Sequence, residues 1–164
     1  MTRVLGCDPG LAITGYGILD SDGQQLAPIA YGVVRTKAGL DEPARLLDLY
    51  RQTVEIVEQY QPDVAAVEKL FFSTNVRTAM MVSQARGVLL LSLAEAGIPI
   101  WEYTPLQIKQ AVTGYGQADK SQIQEMVRLL LNLNEIPRPD DAADALAVSI
   151  CHLHSTHLDR YISQ

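Results

Sequence analysis

Two short apolar runs, Val4-Leu5-Gly6-Cys7 and Val64-Ala65-Ala66-Val67, are each closed by a carboxylate, Asp8 and Glu68. Asp8-Pro9-Gly10 ends the first run, and Gln61-Pro62-Asp63 precedes the second, so both read as short buried strands bounded by turns. Strands apolar on both faces must be covered on both faces, which commits the chain to helices packed on either side of a sheet. The acids at their ends are then expected beside the core. An ionised carboxylate there is costly unless something compensates its lost hydration.

The intervening pattern supplies the rest of the architecture. Ile13 to Leu19 is glycine-rich but strand-like, Asp20-Ser21-Asp22-Gly23 is a hairpin signal, and Leu26 to Thr36 completes an antiparallel meander. Asp41-Glu42-Pro43 opens a helix whose apolar face is Leu46, Leu49, Tyr50, Val54 and Val57. After the Val64–Glu68 strand, Asn75 to Ala96 is a long helix stopped by Gly97, and Ile98 to Tyr103 is a short strand. Helices follow from Thr104-Pro105 to about Val112, from Lys120 to Leu131, and from Asp140 onward. The expected fold is α/β: a five-stranded mixed sheet with helices on both faces. Residues 1–154 form the expected domain, and residues 155–164 a loose polar tail.

Composition narrows the setting. No apolar run is long enough to span a bilayer, so no membrane partner is expected. Cys7 and Cys151 make no disulfide framework, which suits a reduced, cytoplasmic compartment. Cys151, His152, His154 and His157 match no zinc-ligand spacing. The net charge of -6 at first argues against a nucleic-acid partner. Distribution counts for more than the sum, however. Lys69, Arg77, Arg86, Lys109 and Lys120 fall in or near the segments that flank the acids.

Two further acids complete a set. Asp141 and Asp144 lie three residues apart at the start of an Ala-rich stretch, on one face of a helix. Asp141 could cap that helix, as could Asp140, but capping does not account for Asp144 one turn in. Asp8 and Glu68 can meet at one end of the sheet if their strands are adjacent, where open α/β sheets hold their ligands. Four oxygen-donor side chains converging there suit divalent cations. Two-cation phosphoryl transfer is the chemistry such a set serves, with the ions roughly 4 Å apart.

Several longer segments carry a resemblance: Leu5 to Gly17, Pro62 to Glu68, Gln84-Ala-Arg-Gly87, Val112 to Gln122 and Asp141 to Ala147. In order and spacing they resemble the RuvC-type Holliday junction resolvases of the ribonuclease H-like superfamily. The resemblance implies a ribonuclease H-like fold, with Asp8, Glu68, Asp141 and Asp144 as both catalytic residues and ligands of two Mg²⁺ or Mn²⁺ ions. It implies a homodimer that nicks opposed strands of a four-way DNA junction in recombination and repair, together with a branch-migration motor complex.

It also implies DNA contacts at Lys109 and Lys120 and an aromatic, Phe71, that inserts at the junction; Arg77 is a further candidate. Phe71 stacked on an unpaired base would contribute roughly 1–3 kcal/mol, while the alternative is a hydrophobic anchor for its loop. Lys120 reads either as a phosphate ligand or as a solvated first-turn lysine. Another ribonuclease H-like nuclease and a non-catalytic junction-binding protein are the alternatives. An actin-like ATPase would need a second lobe for which this chain is too short.

Overall fold

A computed structural model describes residues 1–69 and 75–162, with residues 157–162 as helix backbone only. Its elements are β1 (Thr2–Asp8), β2 (Ile13–Ser21), β3 (Leu26–Arg35), α1 (Glu42–Tyr60), β4 (Val64–Glu68), α2 (Val76–Glu95), β5 (Ile100–Tyr103), α3 (Pro105–Thr113), α4 (Lys120–Leu130) and α5 (Asp140–Ile162). The sheet has five strands in the order β3-β2-β1-β4-β5. β1, β2 and β3 pair antiparallel, while β4 pairs parallel with both β1 and β5. The two acid-tipped strands are therefore neighbours, with Cys7 opposite Val67.

Local chemistry fixes where the helices start. Asp41 accepts from the Ala44 N–H, and Thr104 with Gln107 and Asp119 with Gln122 form reciprocal capping boxes before α3 and α4. The alternation of strand side chains then divides the core in two. On one face Val4, Leu19, Val64 and Ala66 pack against α3, α4 and α5 through Ile108, Val112, Val127, Leu146 and Ile150. On the other, Leu5, Cys7, Ile18, Ala65 and Val67 pack against Val57 of α1 and Leu89 and Leu93 of α2. The expected sheet with helices on both faces is what forms.

α5 lies unusually deep. A Cβ at Gly6 would stand 2.2 Å from both the Ala145 carbonyl oxygen and Ser149 Oγ, and one at Gly15 would stand 2.0 Å from the Asp141 carbonyl oxygen. At Gly17 the nearest atoms belong to Leu146, including its Cα at 3.0 Å. The helix answers with small residues of its own, Ala142, Ala145 and Ser149, all fully buried. Ser149 Oγ donates to the Gly17 carbonyl at 3.0 Å, which satisfies a hydroxyl that would otherwise be stranded in the core.

Two expectations differ in detail. The tail from residue 155 continues α5 as helix to Ile162, because the helical segment that starts at Asp140 meets no proline or glycine. On α1, Thr53 is buried with Leu49 and Val57, whereas Val54 is only half-buried. Thr53 tolerates this because its hydroxyl donates to the Leu49 carbonyl one turn back at 2.8 Å.

Replacing Gly6 by alanine must push α5 off the sheet. An overpacking cost of about 3 kcal/mol corresponds to a thermal midpoint lowered by roughly 6–12 °C. A midpoint within about 2 °C of the parent protein would show that the close approach is not required.

Candidate active site

The acids gather through three separate placements. Asp8 and Glu68 end adjacent parallel strands, so both reach the same sheet edge. Asp8 is also paired with Gly15 across the β1–β2 ladder. Because Gly15 has no side chain, the first turn of α5 rests on it with the Asp141 backbone in contact. That seats Asp141 and Asp144 over the end of β1. Opposite them, α4 begins at Lys120, whose ammonium is 3.1 Å from Asp144 Oδ2.

The electrostatics of this edge are those of an acid surplus. Burial, then the charges of Glu68 and Asp144, push the Asp8 carboxyl up to about 8, and a hydrogen bond to Glu68 acts in the same direction. The same hydrogen bond favours the ionised form of Glu68, although burial leaves that carboxyl raised overall. Both carboxyls are therefore held above the ordinary carboxylate range, chiefly by burial. Burial also raises Asp144, against the opposing pull of Lys120. Asp141 enters by its charge, which acts on both Asp8 and Asp144.

This charge state bears on whether divalent cations fit. Among the described residues no three acidic, histidine or cysteine side chains are closed into a ready-made cage. The Lys120 ammonium on Asp144 balances part of the charge. The donors are all carboxylate oxygens, hard ligands suited to Mg²⁺ or Mn²⁺. They are also partly desolvated and short of counter-charge, so the residues present fit the group.

Two clefts open on either side of Glu68. One, of about 210 Å³, is lined by Glu68, Ile108, Lys109, Lys120 and Asp144 among others. The other, of about 230 Å³, is lined by Asp8, Pro9, Glu68, Lys69, Val82, Arg86 and Pro105. Lys109 and Lys120 are therefore brought to the acids. Arg77 is not: it lines a separate groove with Leu11, Leu40, Arg45 and Met80, between the starts of α1 and α2. Phe71 lies outside the described residues.

Arg86, expected among the basic residues flanking the acids, and Asp140, an alternative cap for the last helix, also lie here. Arg86 pairs with Glu102 on β5 and faces the cleft of Asp8 and Glu68; its segment, Gln84 to Gly87, was the available signal. Asp140 contacts Lys120, at 3.4 Å, and Arg138. His152 is engaged elsewhere, with the Tyr103 hydroxyl at 2.9 Å, as is His154, with the Ala111 carbonyl at 2.9 Å.

An antiparallel meander continued by parallel strands, with carboxylates on the central strands and on a helix crossing their ends, defines a nuclease of the ribonuclease H-like class. The model of the family "Crossover junction endodeoxyribonuclease RuvC" matches residues 4–152, and this chain belongs to that family. The chain is 58% identical to the crossover junction endodeoxyribonuclease RuvC of Chloroflexus aggregans, over 93% of each chain. It is 55% identical to that of Brevibacillus brevis, over 92% of this chain and 90% of the relative. Among solved structures it is similar to Thermus thermophilus RuvC in complex with a Holliday junction substrate, with a TM-score of 0.92, 33% identity and 97% of each chain covered.

The raised Asp8 carboxyl has a consequence for stability. Its folded-state value lies above that of the unfolded chain, so the native state holds the extra proton and stability falls as pH rises from the ordinary carboxyl range towards about 8. Asp8→Asn removes that penalty. The cation-free variant is expected to melt at least about 2 °C above the parent at pH 8, with a smaller gain at pH 5. Millimolar Mg²⁺ or Mn²⁺ should raise the midpoint of the parent far more than that of the variant. Equal shifts would show that Asp8 does not hold a cation.

Proposed function

We propose that this chain resolves four-way DNA junctions by hydrolysing one phosphodiester in each of two opposed strands, with two divalent cations per site. The carrying observation is the only partly compensated acid group at the end of the central strands, Asp8 with Glu68 and Asp144, beside Lys120. Without cations this group would repel a phosphate backbone. Asp8, Glu68, Asp141 and Asp144 would hold the pair, Mg²⁺ or Mn²⁺. Bound there, the cations supply an activated water and neutralise charge on the leaving oxygen.

The chain's own residues do the rest. Lys109 and Lys120, on one wall of the Glu68 cleft, hold the scissile phosphate in line. Phe71, which directly follows the Glu68 segment in sequence, stacks at the opened junction. Arg77, on its separate groove, is left for a more distant backbone phosphate.

A homodimer suits the substrate, because two identical sites related by a two-fold axis can address opposed strands of a pseudo-two-fold junction. The exposed apolar residues Val76, Met80 and Leu91 on α2 support a contact there. The family also supports association with a branch-migration motor and a cytoplasmic setting. Among the described residues no helix is long and apolar enough to cross a membrane.

The test compares a four-way junction, a linear duplex and an RNA–DNA hybrid, each with and without divalent ions. Paired nicks in the junction alone, dependent on the cation, are expected. Asp8→Asn and Glu68→Gln should each lower cleavage at least about a hundredfold while junction binding persists. Preference for the hybrid would instead support another ribonuclease H-like nuclease, and binding without cleavage would support a junction-binding protein.

A further inference from the structure

Asp140 is the acid left over from the four proposed ligands. It opens α5 immediately before Asp141, yet no backbone N–H donates to its side chain among the described hydrogen bonds, so it does not act as a cap. Its neighbours are donors from two other elements. Arg138, in the segment leading into α5, pairs with Oδ1, and the Lys120 ammonium is 3.4 Å from Oδ2. Gln124, one turn beyond Lys120 on α4, is buried with an amide nitrogen that lacks an acceptor at hydrogen-bond distance. Asp140 therefore joins the start of α5 to the Lys120 face of α4.

Lys120 is thus divided between two carboxylates with different prospects. Asp144, at 3.1 Å, is a proposed cation ligand, whereas Asp140, at 3.4 Å, is not. A cation engaged by Asp144 takes over that carboxylate and repels the ammonium. A lysine on a flexible stem would then swing out to solvent, since nothing in its own helix turn restrains it. We infer that Asp140 is the positioning residue for Lys120, retaining the ammonium at the cleft when Asp144 is occupied, so that it meets the phosphate of the cleaved strand. This rests on the junction-cleaving reading and adds to it a residue outside the ligand set.

A double-mutant cycle on junction cleavage under single-turnover conditions with saturating Mg²⁺ tests it. Asp140→Asn is expected to lower the cleavage rate about tenfold. Junction affinity should stay within about twofold and the thermal midpoint within about 2 °C, which a merely structural role would not give. In a Lys120→Ala background, Asp140→Asn should have no further effect. Asp140→Glu should recover most of the rate. Multiplicative losses in the double variant, or a wild-type rate for Asp140→Asn, would overturn the positioning role while leaving junction cleavage intact. If the parent protein itself fails to nick a four-way junction with Mg²⁺, the cleavage reading fails and this inference with it.

Discussion

The contact on which the rest depends is the seating of α5 against β1 and β2 through Gly6, Gly15 and Gly17. Helix-on-sheet packing normally keeps side chains between the two backbones. Here the sheet contributes hydrogen atoms and the helix contributes alanine and serine, so the backbones approach to van der Waals contact. The depth of the helix sets where its first two turns fall, and these carry Asp140, Asp141 and Asp144. A methyl group at Gly15 would move the Asp141 backbone directly. Packing and chemistry are thereby coupled at a single interface.

That seating creates an electrostatic problem which the fold leaves partly unsolved. Burial raises the carboxyls of Asp8 and Glu68, and Lys120 answers Asp144. That ammonium is a weaker partner than a divalent ion for a desolvated carboxylate. A fold selected only for stability would replace Asp8 with a neutral residue. Cations held there would offset the cost of burying the acids. A net charge of -6 is compatible with a DNA-acting family, since cations bound at the acids would neutralise them where a backbone approaches.

The basic groups are segregated around this edge. Lys109 and Lys120 lie in the cleft on the α3–α4 side of Glu68, and Lys69 and Arg86 in the cleft on the α2 side. Arg86 is occupied with Glu102, which leaves Asp8 and Glu68 to each other. Arg77 shows the limit of proximity in sequence: it is near the Glu68 strand along the chain, yet its helix carries it into another groove.

The strand and helix positions were legible in the sequence because they follow from local periodicity, turn residues and caps, which act over a few residues. Apolar runs ending in carboxylates, and an acid one turn into an alanine-rich helix, stand out in the sequence because they conflict with burial wherever the chain folds. The helical course of residues 155–162 escaped that reading, since polarity was taken for looseness where no helix breaker is present. Burial of Thr53 in place of Val54 depended on a helix rotation that apolar counting does not resolve. Only the tertiary structure could separate Arg77 from Lys109, or bring Asp140 to Lys120. Those relations depend on how distant helices cross, and helix crossings are set by packing between elements rather than by any one segment's pattern.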